Sequence, residues 1–172
     1  MEKATPAQSG NYSRGRRRLG RPRLLIVGCG DIGGRIVARL AARFRIVALT
    51  SSPARVPSLR AAGIVPIVGN LDARRSLQRL AAFNARVIHL APPPAGDGRS
   101  DPRTRALLAA LQRRPKRFVY VSTTGVYGDR AGGLVDETTP AAPTSDRARR
   151  RLDAERAVRA AHAAVVRAPG IY

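Results

Sequence analysis

Short apolar runs alternate with longer polar segments of helical periodicity along most of this chain. The apolar runs predict six strands, at residues 23–27, 45–50, 64–68, 86–91, 117–121 and 163–167. The segments between them predict helices at residues 32–43, 57–62, 73–83, 101 or 102 to 113, and 144 or 145 to 161. Strands that alternate with helices through short connections form a parallel sheet covered on both faces. We therefore predict a doubly wound α/β fold, with Pro66 placing the third strand at a sheet edge.

A glycine-rich turn joins the first predicted strand to the first predicted helix. Its pattern is Gly28-x-Gly30-x-x-Gly33. Gly28 permits a tight turn, Gly30 lets a pyrophosphate approach the main chain, and Gly33 lets helix and strand pack closely. The N–H groups at the start of the helix, at Asp31 and Ile32, would then face the phosphates. An ordinary βα turn without a ligand is the alternative, but the strand before and the helix after favour dinucleotide binding.

The residues that follow the second strand bear on which dinucleotide binds. A carboxylate at this position, about 20 residues after the glycines, typically binds the ribose 2′-hydroxyl of NAD. The sequence instead offers the hydroxyls of Ser51 and Ser52 and then Arg55. This set is better suited to a 2′-phosphate, so we predict NADP(H) rather than NAD(H). The alternative is a helix cap at Ser51 or Ser52 and a surface arginine.

Polar residues follow two other predicted strands at their carboxyl ends, where ligands of open α/β sheets bind. Asn70 and Leu71 come after the third strand, and Asp72 is expected to cap the next helix. Three consecutive hydroxyls, at residues 122–124, follow the fifth strand. They could hold a substrate carbonyl or alcohol, or they could cap the turn. His89 lies inside an apolar run without a second histidine or carboxylate nearby, so we expect a core residue.

Composition limits the remaining function classes. The 172 residues fit one domain, and 32 lysines and arginines against 11 acidic residues give a net charge of +21. Residues 1–22 form a polar, basic segment that we expect to be disordered, so nucleic-acid contact should be limited to weak binding by this tail. Cys29 is the single cysteine, which excludes an internal disulfide and a cysteine-based metal site; no metal site is predicted. No apolar run is long enough for a membrane span, so cytoplasm is the expected location.

Residues 23–172 resemble the short-chain dehydrogenase/reductase superfamily, and within it the extended and atypical members known as NAD-dependent epimerases/dehydratases. The matching motifs are Gly28-x-Gly30-x-x-Gly33, Gly69-Asn70-Leu71-Asp72, Val87-Ile88-His89-Leu90-Ala91, Tyr120-Val121-Ser122-Thr123-Thr124-Gly125-Val126-Tyr127-Gly128 and Arg167-Ala168-Pro169-Gly170-Ile171-Tyr172. The resemblance implies a Rossmann domain. It also implies that Asn70, Leu71, Leu90 and Ala91 contact the cofactor.

The catalytic residues of the superfamily are only partly present. Its chemistry uses a serine or threonine, a tyrosine and a lysine, with the last two spaced Tyr-x-x-x-Lys. Thr123, four residues before Tyr127, matches the serine or threonine. Aligning Glu155 with the glutamate that follows the lysine puts Arg147 at the tyrosine position and Arg151 at the lysine position.

This departure changes the expected chemistry. An arginine has no proton to give at neutral pH, so Arg147 cannot replace the tyrosine as a general acid. Arg151 could still hold the ribose or phosphates of the cofactor. If a reaction occurs, Thr123, Thr124 or Tyr127 must supply the hydroxyl that exchanges a proton with the substrate, or the substrate and water must supply it.

Three functions are consistent with the sequence. The first is an NAD(P)-dependent oxidoreductase or epimerase of the atypical type, acting on an unidentified carbonyl, alcohol or nucleotide-sugar substrate. The second is a non-catalytic module that binds NADP(H), and the third is a nucleic-acid-binding protein. Members of the superfamily carry a further C-terminal substrate region, so we expect a truncated form or a minimal nucleotide-binding module. The resemblance also allows a homodimer.

Overall fold

A six-stranded parallel sheet forms the centre of the protein. The computed structural model describes residues 20–81, 83, 86–112 and 115–169. The strands are β1 Arg23–Val27, β2 Arg45–Thr50, β3 Val65–Val68, β4 Arg86–His89, β5 Arg117–Thr123 and β6 Ala164–Ala168. Their order is β3-β2-β1-β4-β5-β6, and every neighbouring pair is parallel. The predicted fold class is therefore confirmed, and β3 with its Pro66 lies at an edge.

Helices cover both faces of this sheet. The α-helices are α1 Asp31–Leu40, α2 Val56–Ala61, α3 Pro102–Ala110 and α4 Asp146–Ala160, and 3₁₀ helices span Pro53–Arg55, Arg74–Leu80 and Thr124–Tyr127. Alternate residues of β1 point to opposite faces. Leu25 and Val27 join the apolar cluster on one face, whereas Leu24 and Ile26 join the cluster on the other. None of the described helices is both long enough and apolar enough to cross a membrane.

Several predicted boundaries differ from the structure. The helix predicted at residues 73–83 is a 3₁₀ helix over Arg74–Leu80, and its cap position is held by Ala73 rather than Asp72. Instead, the Asp72 carboxylate forms a salt bridge with Arg103 at 2.6 Å. The fourth strand ends at His89 rather than at residue 91, because the N–H groups of Leu90 and Ala91 both donate to the Val27 carbonyl and end the ladder.

Of the remaining predictions, two helix caps are confirmed, two boundaries differ, and some positions lie outside the described residues. Asp101 and Ser145 cap α3 and α4 through their side chains. Helix α1 ends at Leu40, earlier than residue 43, and β5 runs on to Thr123, beyond residue 121. The first 19 residues of the predicted basic tail, residues 1–19, lie outside the described residues. Residue 113, the predicted end of the helix that begins at residue 101 or 102, also lies outside them, as do residues 170–172.

Candidate functional site

A cavity of about 450 Å³ opens at the carboxyl ends of strands β1, β2 and β4. It brings together most of the residues predicted to bind a cofactor: Gly28, Gly30, Asp31, Ile32, Ser51, Arg55, Asn70, Leu71, Leu90 and Ala91. Gly33, Ser52 and Arg151 are not in its wall. The sequence reasoning missed Thr50, Pro92 and Arg103, which also line it.

The three glycines of the turn between β1 and α1 have different structural requirements. Gly28 has a φ of 87°, and a Cβ there would lie 2.6 Å from the Ala91 nitrogen. A Cβ at Gly33 would lie 3.2 Å from the Cys29 Sγ, so this glycine lets the helix pack against the turn. A Cβ at Gly30 would meet no protein atom within 4 Å. Gly30 therefore leaves space at the cavity wall, beside the first turn of α1.

Arg55 connects the end of β2 to the glycine turn. Its Nη2 donates to the Cys29 carbonyl at 2.8 Å, which fixes the guanidinium at the cavity. Burial raises the pKa of the Cys29 thiol, and the nearby positive charge of Arg55 opposes this increase. Ser52 donates its N–H to the Thr50 Oγ1 at 3.2 Å, and Thr50 and Ser51 line the cavity whereas Ser52 does not.

The loop after β3 is held in place by its own polar groups. The Asn70 N–H donates to the Ser76 Oγ at 2.8 Å, and the Asn70 Oδ1 accepts from the Asp72 N–H at 3.0 Å. Two Arg103 nitrogens donate to the Asp72 carboxylate at 2.6 and 2.7 Å. These hydrogen bonds with Arg103 lower the pKa of Asp72. Arg103 thereby reaches the cavity from α3, a contact between distant parts of the chain that no local pattern indicates.

A second cavity, of about 400 Å³, lies between the carboxyl end of β5 and the beginning of α4. Its wall contains Thr123, the predicted substrate-binding hydroxyl, and Arg147 and Arg151, which occupy the tyrosine and lysine positions of the catalytic pair. The other residues of the wall include Val121, Ser122, Gly125, Ser145, Ala148, Ala168 and Pro169. Ile32 and Leu90 line both cavities, so the two are adjacent.

Arg151 and Thr123 reach the second cavity from different elements. The Arg151 Nη1 donates to the Val121 carbonyl at 2.9 Å and to the Tyr120 hydroxyl at 3.2 Å. Burial raises the pKa of Tyr120 to about 12, so its hydroxyl is neutral. The Thr123 Oγ1 accepts from the Gly125 N–H at 3.3 Å, which turns the chain into the following 3₁₀ helix. Arg151 is thus placed in the second cavity and not in the first.

The structure does not bring Thr124 and Tyr127 into either cavity. They line a separate cleft with Asp136 and Arg167. The buried Tyr127 donates its hydroxyl to the Asp136 carbonyl at 2.7 Å, and the Arg167 guanidinium lies 4.6 Å from its ring centroid. The sequence predicted both as possible catalytic hydroxyls. It could not indicate the bond to Asp136, because the position of that residue depends on the long loop after the 3₁₀ helix.

Two buried polar groups near the second cavity are structural. His89, fully buried, is hydrogen-bonded through Nε2 to the Thr104 Oγ1 at 2.9 Å, and burial lowers its pKa to about 3. This is the core histidine that the sequence predicts. Glu155 is also fully buried, and its carboxylate accepts from Arg167 at 2.8 Å.

Comparisons with known proteins identify the family and the fold of this chain. Residues 28–168 match the model of a family described as NAD(P)H-binding. Among curated proteins, no sequence matches this chain closely enough to show a relationship. A conserved protein of unknown function from Silicibacter pomeroyi DSS has a similar structure, with 31% identity, a TM-score of 0.72, and coverage of 88% of this chain and 53% of that one.

Two further structures share the fold. A candidate epimerase from Burkholderia cenocepacia J2315 has 27% identity and a TM-score of 0.71 over 88% of this chain and 55% of that one. The UDP-glucuronic acid 4-epimerase from Bacillus cereus, solved with NAD, has 21% identity and a TM-score of 0.70 over 87% of this chain and 57% of that one. The chain spans a little over half the length of these proteins. Because the family model covers most of its length, including the glycine turn and most residues of both cavities, this chain belongs to the NAD(P)H-binding family.

Proposed function

We propose that this protein binds a nicotinamide dinucleotide in the first cavity and acts on a carbonyl, alcohol or nucleotide-sugar substrate in the second. The observation that carries the proposal is the free space at Gly30. A Cβ there would meet no protein atom, although the residue stands at the beginning of a ten-residue helix and in the cavity wall. Main-chain N–H groups at such a helix end bind phosphate without any side chain in the way.

The residues around the turn fit the two phosphates of a dinucleotide. The N–H groups of Asp31 and Ile32 begin the helix and lack intrahelical acceptors. The Asp31 carboxylate would oppose an anion, but it is paired with Arg35 at 2.9 Å. Asn70 and Leu71 would hold the adenosine half beside the turn. Leu90 and Ile32 lie in the walls of both cavities, so the nicotinamide half would extend past them into the second cavity.

We propose NADP(H) as the preferred form. Arg55 is anchored to the Cys29 carbonyl at 2.8 Å and lines the cavity beside Ser51. Asp31 is the only acidic residue among the described residues of this wall, and it belongs to the glycine turn and not to the end of β2. A fixed guanidinium near hydroxyls suits a 2′-phosphate, whereas a ribose 2′-hydroxyl is usually bound by a carboxylate.

At the second cavity the described residues of the wall offer hydroxyl groups, Thr123 among them, and no tyrosine. When bound, the dinucleotide would supply hydride exchange. Thr123 would donate a hydrogen bond to the substrate oxygen from the end of β5, beside the Arg151 guanidinium. The Tyr127 hydroxyl is bonded to the Asp136 carbonyl, so we do not assign it the proton transfer.

Fluorescence titration of NADPH and NADH tests the binding site. We expect saturable binding of both, tighter for NADPH. Gly30→Ala should weaken NADPH binding about tenfold and Gly30→Leu about a hundredfold, because larger groups fill the space that the phosphates need; these ratios correspond to about 1.4 and 2.7 kcal/mol.

Gly34→Ala is the matched control. This glycine lies on the same helix, is exposed, and has no atom within 4 Å of an added Cβ. It should bind NADPH like the wild type. Thermal melting of all variants separates lost binding from lost folding. Absence of saturable binding of either dinucleotide by the folded wild-type protein would contradict the proposal.

A second candidate is a module that binds the dinucleotide without turnover. The arginines at positions 147 and 151 and the bonded Tyr127 hydroxyl favour it. NADPH oxidation with carbonyl and nucleotide-sugar substrates distinguishes the two. Turnover that is abolished by Thr123→Ala, with NADPH affinity unchanged, supports the enzyme; binding without turnover supports the module.

A further inference from the structure

The wall of the second cavity is strongly positive. Two arginines, Arg147 and Arg151, line it, and no described aspartate or glutamate does. Ser145, the cap of the 15-residue helix α4, also lies in the wall, so the positive end of the helix dipole faces the same space. Asp146 follows the cap, but its carboxylate is paired with Arg149 at 2.7 Å and is not part of the wall.

Arg151 is a buried cation without a carboxylate partner in the described part of the chain. Its exposed fraction is 8%, and its Nε has no hydrogen-bond partner. Arg167, by contrast, is paired with the buried Glu155 at 2.8 Å. A buried charge is costly unless an opposite charge or several hydrogen bonds compensate it. Arg151 has only one carbonyl and one hydroxyl as acceptors, so its site lacks a negative partner.

Ser122 adds a second unpaired polar group in the same wall. Its exposed fraction is 4%, and its Oγ has no hydrogen-bond partner. Arg147, one turn before Arg151 on α4, is exposed and makes no recorded ion pair with any residue from 20 to 169 that the structure describes. Residues four apart lie on one helix face, so both guanidinium groups belong to the same side of α4.

We propose that the second cavity binds an anionic oxygen group of the substrate, a carboxylate or a phosphate, between Arg147, Arg151 and the beginning of α4. The planar guanidinium presents paired donors that match such groups, and it stays charged at every physiological pH. The inference rests on the proposed function only in assigning the anion to the substrate. The phosphates of the dinucleotide belong to the glycine turn in the first cavity.

Calorimetric titration with inorganic phosphate and with oxalate, at 0.15 M salt, tests the site. Salt at this concentration screens the general attraction of a chain with a net charge of +21. We expect saturable binding by the wild type that Arg147→Gln and Arg151→Gln each weaken at least tenfold. Arg156→Gln is the control, because this exposed arginine on the same helix removes the same charge outside the cavity wall. It should change the affinity less than twofold.

The same titrations with saturating NADPH, and with Gly30→Leu, identify the source of the anion. Binding that persists in both supports a substrate anion in the second cavity. Competition with NADPH, or loss in Gly30→Leu, would show that the probe occupies the phosphate site of the cofactor and would overturn the inference. Equal weakening by Arg156→Gln would also overturn it. Anion binding by a wild type that binds no NADPH would refute the proposed function while supporting this site.

Discussion

The two cavities open beside each other but present different groups to a ligand. The part of the first that adjoins α1 is main chain of a glycine turn, where Gly30 leaves space and a helix begins. The second is built from side chains of β5 and α4, with Arg147 and Arg151 in its wall. A site made of main chain depends on local geometry, whereas a site made of side chains depends on which partners the rest of the fold provides.

The half-buried Arg167 and the buried Arg151 show how partners decide the role of a side chain. Arg167 meets Glu155 within the protein, and its guanidinium is therefore satisfied without a ligand. Arg151 lies one turn of α4 before Glu155, yet among the residues that the structure describes it has only the Val121 carbonyl and the Tyr120 hydroxyl as acceptors. One arginine is part of the structure, and the other retains capacity for an external anion. Substitutions in the ion pair, at the glycine turn and at Arg151 test how far each region depends on its partners.

The largest effect should come from Glu155→Gln. Removing one partner of a buried ion pair leaves the other charge uncompensated, and this costs about 3–5 kcal/mol of the free energy of unfolding. Urea denaturation measures it. Glu137→Gln is the matched control, because this exposed carboxylate removes the same charge and should change the free energy by less than about 0.5 kcal/mol. Similar values for the two variants would show that the buried pair is not the reason for the stability of this region.

Gly28→Ala should be the next most damaging change. An alanine at positive φ costs about 1–2 kcal/mol, and a Cβ forced against the main chain of Ala91 adds about 1–3 kcal/mol. Gly63→Ala isolates the first contribution, because Gly63 has a φ of 71° and open space around its Cβ position. Denaturant unfolding of both variants measures the difference. If Gly63→Ala were as destabilising as Gly28→Ala, the close approach of Ala91 would not constrain the turn.

The sequence predicted the first cavity better than the second for a physical reason. Glycine spacing and hydrophobic alternation report local geometry, so the strands, the turn and the place of Asn70 after β3 followed from the pattern. The place of Leu90 at the cavity was implied by the family resemblance. Tertiary contacts leave no such pattern. Arg103 is held at the first cavity by its ion pair with Asp72, 31 residues earlier in the chain. The Tyr127 hydroxyl donates to the Asp136 carbonyl in a loop, away from the second cavity.

His89 should make stability depend on pH. Burial lowers its pKa to about 3, and the positive charge of Arg151 contributes to this decrease. Between that value and the ordinary histidine pKa, the unfolded chain binds one more proton than the folded protein, so stability rises with pH through this window and is lost as pH falls. From pH 7 to pH 5 the loss should be about 2 kcal/mol.

His89→Gln should remove that part of the pH dependence, whatever its effect on stability at pH 7. His162→Gln is the control, since it is the other histidine of the chain and is exposed. Urea denaturation at pH 5, 6 and 7 gives the slopes. A His89→Gln slope equal to that of the wild type would mean that the buried imidazole takes no part in acid destabilisation.

The smallest change in stability should come from Arg151→Gln, and this result would sharpen the contrast with Arg167. The substitution removes two hydrogen bonds, worth about 1 kcal/mol each, but it also removes a buried charge without a negative partner. The two effects oppose each other, so the free energy of unfolding should change by less than about 1 kcal/mol. Arg167→Gln should cost more, up to about 3–5 kcal/mol, because the buried Glu155 carboxylate then keeps only its longer ion pair with the exposed Arg159, at 3.4 Å. Denaturation without added anions measures both variants, and equal losses would show that Arg151 stabilises the fold as Arg167 does and is not held ready for a ligand.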